Sequence, residues 1–179
     1  PNLSLREKMQ LGFSNSIKNY FVSQDNLLVT QNQVGFILKN AKVVRNPFNI
    51  SYSINLEFPQ SNNFHLACVG RYDFYAKGQD VLLQTLSSEK WKNRNLYINF
   101  YGEGSDVENL VDLVKMYQIK NITINSHTAT EEIWKHNHGL ILTSRFEGLP
   151  IVIVEAMLSR RFVIVTNISG NKELVIDNE

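Results

Sequence analysis

From His65 onward, short apolar runs alternate with amphipathic stretches, and this alternation restricts the chain to repeated βα units around a parallel sheet. Strands are predicted at 66–70, 96–101, 122–125, 139–143 and 162–166, where Ile, Val, Leu and aromatic residues predominate as they do in strands buried on both faces. A helix is predicted after each strand, over roughly 79–88, 106–117, 130–135, 151–159 and 172–176. Ser105 or Asp106 and Thr128 or Thr130 are the N-caps this pattern suggests. The fold class that follows is α/β, a Rossmann-like parallel sheet flanked by helices.

Before His65 the pattern changes. An amphipathic stretch over 5–20 leads into a strand-like run at 20–23, a helix-like stretch to about Phe36 and a strand at 41–45. Asn46-Pro47-Phe48-Asn49 is a turn signal, and a polar connector follows through Ser61-Asn62-Asn63. The chain therefore divides into the tail of a neighbouring domain (1–46), a linker (47–64) and a main domain (65–179).

Composition excludes several classes. Lys and Arg number 18 against 17 Asp and Glu, a net charge of +1, so a broad electrostatic footprint for nucleic acid or a membrane surface is not expected. Any anion must be held by a local site. The single cysteine, Cys68, lies in the apolar run His65-Leu66-Ala67-Cys68-Val69 and reads as a buried structural thiol; one cysteine allows no intrachain disulfide, which suits a reducing compartment. The longest apolar stretch, 149–158, is interrupted by Pro150 and Glu155 and falls short of the ~20 residues a bilayer-spanning helix needs. No signal-peptide pattern opens the sequence, so a cytoplasmic location is expected.

In an open parallel sheet, ligands bind beyond the carboxyl ends of the strands, so the loops after the strands are where function is sought. The first is Arg71-Tyr72-Asp73-Phe74-Tyr75-Ala76-Lys77-Gly78, whose two cations can face one anion. After the fourth strand comes Ser144-Arg145-Phe146-Glu147-Gly148-Leu149-Pro150. Pro150 suits the first helical position, Gly148 allows close backbone approach, and the N–H groups of Ile151 and Val152 would stand unpaired at a helix N-terminus, a ready phosphate site. Glu147 and Glu155 are separated by seven residues, and a carboxylate within the apolar stretch is costly to bury unless donors such as sugar hydroxyls meet it. The residues alone thus suggest a polyhydroxylated ligand attached to phosphate, against the plainer reading of solvated or capping glutamates and surface cations.

Several stretches occur together in a fixed order. They are Val69-Gly70-Arg71 with Lys77-Gly78-Gln79-Asp80, Phe100-Tyr101-Gly102-Glu103-Gly104, Thr143-Ser144-Arg145-Phe146-Glu147-Gly148-Leu149-Pro150 leading into Glu155-Ala156-Met157, Val163-Ile164-Val165-Thr166, and Ser169-Gly170 before Glu173. In these, over about 65–175, the chain resembles the retaining glycosyltransferases of the GT-B type known as glycosyltransferase group 1, or family 4.

The resemblance implies the C-terminal, donor-binding half of a GT-B fold, truncated at its end, with a remnant of the N-terminal, acceptor-binding domain. It implies transfer of a sugar, with retention, from a nucleotide-diphosphate sugar of UDP or GDP type to a growing polysaccharide, lipid-linked glycan or lipopolysaccharide. Arg71 and Lys77 would hold the diphosphate and stabilise charge on the leaving phosphate, with Gly70 also among the donor-binding residues. Glu147 would lie beside the transferred sugar, with Gly148, Leu149 and Pro150 shaping its pocket. Backbone at Ile151 and Val152 would meet phosphate, Glu155 the ribose, and Ser126 and His127 the base. No cofactor and no metal are implied, fixed cations and helix N–H groups supplying the charge neutralisation. Peripheral attachment at the inner face of the membrane would run through the missing N-terminal domain. The isolated fragment is expected to bind donor weakly and to be inactive.

Two positions depart from the family pattern. Ser159-Arg160-Arg161-Phe162 stands where glycine and proline are usual, and Ser169-Gly170 where two glycines are usual. Among rival readings, a dinucleotide-binding dehydrogenase fails because Val107 replaces the third glycine of a fingerprint starting at Gly102. A nucleotide-sugar epimerase of the same architecture and a non-catalytic nucleotide-sugar-binding domain remain alternatives. His136-Asn137-His138 reads as a surface helix end rather than a metal site, and Lys90-Trp91-Lys92-Asn93-Arg94 as a solvated loop with a packed Trp.

Overall fold

A computed structural model describes residues 3–177. The upstream part contains helix α1 (Leu5–Asn15), strand β1 (Asn19–Phe21), helix α2 (Gln24–Val34) and strand β2 (Ala41–Val43), with β1 and β2 paired in parallel. α1 starts on a capping box: the Ser4 side chain accepts from the Glu7 N–H while the Glu7 carboxylate accepts from the Ser4 N–H.

The main sheet is parallel and built from β3 (Phe64–Val69), β4 (Leu96–Tyr101), β5 (Ile122–Asn125), β6 (Gly139–Leu142) and β7 (Phe162–Val165), in the order β5-β4-β3-β6-β7. All five predicted strands are present, within two residues of their predicted bounds. From β3 the chain builds outward through β4 to β5, then crosses back to lay β6 on the other side of β3. The order therefore reverses between β3 and β6, and in such sheets that switch point opens a crevice at the carboxyl ends of the strands.

Strand alternation feeds two cores. Leu66, Cys68, Ile98 and Phe100 pack against α4 (Gln79–Leu86) and α6 (Val107–Met116), through Leu82, Leu83, Leu86 and Leu110. Ala67, Leu140 and Leu142 pack on the other face against α7 (Thr130–His136) and α8 (Ile151–Leu158), through Ile133, Trp134, Ile153 and Ala156. Trp91, on the short helix α5 (Glu89–Lys92), packs on the first core with the Lys90 and Arg94 cations over its ring. Cys68 is buried, which pushes its thiol up to about 12.

Several local expectations are corrected. The segment after β2, read as a turn and a polar connector, packs as a strap: Phe48, Ile50, Ile54 and Leu56 join the second core, and Arg161 donates to the Glu57 carbonyl while lying over the Phe58 ring. Asn137 and His138 are buried rather than at the surface, although His136 is exposed. Their polar groups are met from distant strands. Asn137 donates to the Tyr101 hydroxyl and the Ile133 carbonyl and accepts from Asn99, and His138 Nδ1 accepts from the His65 N–H.

The last helix, α9, spans Ser169–Lys172 rather than 172–176. Asp106 is the N-cap of α6 as anticipated, but Ala129 caps α7, and Pro150 is the N-cap of α8 rather than its first helical residue. A further helix, α3 (Phe74–Lys77), precedes α4 and has Lys77 as its last residue. At the end of α8, Arg160 takes φ +57°, the left-handed geometry that favours glycine, at a local cost of up to about 1 kcal/mol.

Candidate functional site

A cavity of about 460 Å³ opens at the switch point, walled by the loops after β3, β4, β5 and β6 and by the first turn of α8. The loop after β3 is pinned to the loop after β6 by backbone contacts. Gly78, at φ +63°, lies so close to β6 that a Cβ there would sit 2.2 Å from the Thr143 carbonyl oxygen, and the Thr143 hydroxyl donates to the Gly78 carbonyl at 2.8 Å. The N–H groups of Arg145 and Phe146 both donate to the Ala76 carbonyl, at 2.8 and 3.2 Å. Arg145 then forms a bidentate pair with Asp80, both contacts at 2.8 Å, which holds that carboxyl below its ordinary value.

This clamp brings together two side chains distant in sequence. Lys77 Nζ lies 2.7 Å from Glu147 Oε1, and the buried Ser144 hydroxyl donates to the same oxygen at 2.6 Å. The Ser144 carbonyl in turn accepts from Thr166 at 2.6 Å. Gly170, in α9, closes the arrangement from behind, since a Cβ there would stand 2.8 Å from the carbonyl oxygens of both Glu147 and Gly148. Arg71 lines the cavity but is mostly exposed, with its guanidinium 3.5 Å from Asp73.

The two glutamates differ in their surroundings. Glu147 is met by a cation and a hydroxyl, whereas Glu155, buried on the α8 wall at 7% exposure, accepts, among the described residues, only a long 3.3 Å bond from the Asn49 N–H. Burial raises the Glu155 carboxyl above its ordinary value, and that single N–H only partly offsets the effect. A buried carboxylate so poorly served is suited to accepting from ligand hydroxyls. Pro150, Ile151 and Val152 also line the cavity, and no side chain caps α8, so its positive end is open to an anion.

Of the residues singled out from the sequence, Gly70, Arg71, Lys77, His127, Glu147, Pro150, Ile151, Val152 and Glu155 line one cavity. Ser126, Gly148 and Leu149 lie off its wall; Leu149 is buried, and Gly148 packs near Val22. Sequence reasoning missed Asn49, Tyr101, Thr128 and Trp134, which also line the wall, as do Val69, Gly102, Glu103, Thr130 and Ile133. Tyr101 carried a signal, as an aromatic residue at the carboxyl end of β4, but Asn49 lay in what read as a linker. Gly102 and Gly104 are accounted for by packing. Side chains there would strike the carbonyl oxygens of Gly70 at 2.1 Å and Tyr72 at 2.3 Å, so these glycines let the loops after β3 and β4 meet.

Among the described residues, no three His, Cys, Asp or Glu side chains are grouped as metal ligands, and no helix is long and apolar enough to cross a membrane.

The chain shares 31% identity over 131 residues with the amylovoran biosynthesis glycosyltransferase AmsD of Erwinia amylovora, covering 68% of this chain and 35% of that protein. A poly(ribitol-phosphate) alpha-N-acetylglucosaminyltransferase of Staphylococcus aureus is 25% identical over 103 residues, 56% of this chain and 21% of that one. The chain thus spans about a third or less of the length of these relatives. In fold it is similar to S. aureus TarM, crystallised as a mutant with Fondaparinux, alpha-GlcNAc-glycerol and UDP, at a TM-score of 0.82 and 19% identity over 96% of this chain and 34% of that one. It is also similar to Anabaena HepE in complex with UDP and glucose, at 0.77 and 18% identity over 97% and 51% of the two chains. These likenesses identify the sheet and its helices as the C-terminal domain of a GT-B fold. The family model for glycosyl transferases group 1 matches residues 63–179, and the chain belongs to that family.

Proposed function

We propose that the cavity is the donor site of a glycosyltransferase that moves a sugar from a nucleoside diphosphate sugar, of UDP or GDP type, to a glycan or lipid-linked acceptor. The observation that carries this reading is the juxtaposition of Lys77 with Glu147, 2.7 Å apart, in a cavity that also holds Arg71, Glu155 and the open end of α8. Sugar transfer breaks the bond between the anomeric carbon and the β-phosphate, and negative charge develops on the departing diphosphate. On this reading Arg71, Lys77 and the N–H groups at Ile151 and Val152, residues that all line the cavity, stabilise that charge, which is the electrostatic contribution transfer most needs. On this reading the cations and helix end do work that a metal ion does elsewhere.

Glu147, fixed through Oε1 by Lys77 and Ser144, has its second oxygen for hydroxyls of the donor sugar. Glu155 accepts from the ribose hydroxyls, and the region of His127 faces the base. The UDP in the TarM and HepE structures supports a nucleoside diphosphate ligand. The Staphylococcus relative is named for an α-glycosyl product, which supports retention where the donor is α-linked. The relatives' biosynthetic names support a role in building a surface polysaccharide or related glycan, with the acceptor held by the remainder of a longer protein.

The test is to screen UDP- and GDP-sugars against the intact protein, following nucleotide release and the anomeric configuration of the product. A glycoside of unchanged configuration is expected. Release of free or epimerised sugar in place of a glycoside would transfer the assignment to an epimerase of the same architecture.

A further inference from the structure

The strap that follows β2 reaches the cavity at one residue. Phe48 and Ile50, on either side of Asn49, pack into the second core beside Trp134 and Ala156, so the backbone at Asn49 is anchored from both sides. Asn49 itself is exposed and lines the cavity, and its N–H is the donor 3.3 Å from Glu155 Oε1. That contact uses the backbone, so the side-chain amide of this cavity-lining residue is not spent on the carboxylate.

The chemistry of a ribose explains what an amide does there. A carboxylate only accepts, so Glu155 can take hydroxyl protons but leaves the hydroxyl oxygens without a donor. An amide carries both a donating NH2 and an accepting carbonyl. An amide on the same cavity wall as a donor-poor carboxylate would complete a subsite for a vicinal diol. We propose that Asn49 is a nucleotide-contacting residue which, with Glu155, forms the ribose subsite. The inference rests on the donor-site reading above and extends it to a residue outside the βα domain: the strap that joins the two parts of the chain touches the nucleotide directly.

The test is calorimetric titration of the intact protein with UDP and with its 2′-deoxy and 3′-deoxy analogues, repeated with GDP and its deoxy forms. Wild type should prefer the ribonucleotide. Asn49→Ala should weaken that ribonucleotide about three- to tenfold, the worth of one neutral hydrogen bond, while leaving at least one deoxy analogue unchanged, so that discrimination collapses. Asn49→Ser should recover part of it. Because residue 49 is exposed and its N–H survives both changes, thermal unfolding should not shift. A purely structural role would lower the unfolding temperature and keep the wild-type discrimination ratio, and that ratio in Asn49→Ala overturns the proposal. Wild type binding neither UDP nor GDP instead removes the donor-site reading itself.

Discussion

Replacing Gly78 by alanine tests how the two cationic and acidic loops are held together. Gly78 at once ends α3 and starts α4, at φ +63° and ψ 28°. A side chain in that geometry costs about 1 kcal/mol. Its Cβ would also sit 2.2 Å from the Thr143 carbonyl oxygen, a backbone atom of a central strand's end that cannot rotate away. Forcing that contact apart adds roughly 1–3 kcal/mol, so Gly78→Ala should destabilise by about 2–4 kcal/mol in all. For a chain of this length that is a fall in unfolding temperature of roughly 5–15 °C, measured by circular dichroism. Since Lys77 and Thr143 flank the forced contact, the Lys77–Glu147 pair should open and UDP affinity should drop in parallel. Gly12→Ala is the contrast. Gly12 lies inside α1 with no atom within 4 Å of a new Cβ, and the change should stabilise by about 0.5–1 kcal/mol through helix propensity. An unfolding temperature and UDP affinity for Gly78→Ala equal to wild type would refute the clamp.

Other outcomes follow from the charged groups. Glu155 has a folded-state value raised above the ordinary 4.5, so its ionisation costs stability at pH values above 4.5, and the full cost is reached once pH passes the raised value. Glu155→Gln should therefore be more stable than wild type at pH 7, with the advantage shrinking toward pH 4 in denaturant titrations, while UDP binding falls about ten- to a hundredfold. Arg145→Ala should cost about 0.5–1 kcal/mol at pH 7, because the pair with Asp80 is partly solvated. Asp80 is depressed by Arg145, so that stabilisation is present above its ordinary value of 3.8 and is lost as pH falls through the depressed value; the variant's deficit should vanish there. Cys68, buried with its thiol near 12, should resist iodoacetamide at pH 8 until denaturant is added.

The five strands could be read because strands packed between helices must be apolar, whatever their partners, and even the edge strand β7, with Phe162 and Ile164 exposed, keeps that apolar run. The loops at the strand ends followed from the same logic, which is why Lys77 and Glu147 were anticipated in one place. What escaped depended on partners far away in the chain. Asn137 and His138 look like surface residues until β3 and β4 supply His65, Asn99 and Tyr101 to meet their polar groups. The strap was hidden by its prolines and asparagines, although the apolar positions 48, 50, 54 and 56 already carried a packing signal. α9 was misplaced because Ser169-Gly170-Asn171 are poor helix formers, yet only glycine fits at 170 against the carbonyls of the Glu147 loop. Ser144 and Asn49 were invisible for a related reason: each acts on a glutamate, and the contact exists only in three dimensions.

On the proposed reading, one cavity binds the diphosphate through Lys77 and the ribose through Glu155. Calorimetric titration of UDP and GDP into the intact protein, alongside Lys77→Met and Glu155→Ala variants that unfold at the wild-type temperature or above, tests it directly. Wild type should bind at least one nucleotide saturably, and each variant should bind it at least tenfold more weakly. Wild type that fails to bind either nucleotide at millimolar concentration while folded, or variants that bind as well as wild type, would contradict it.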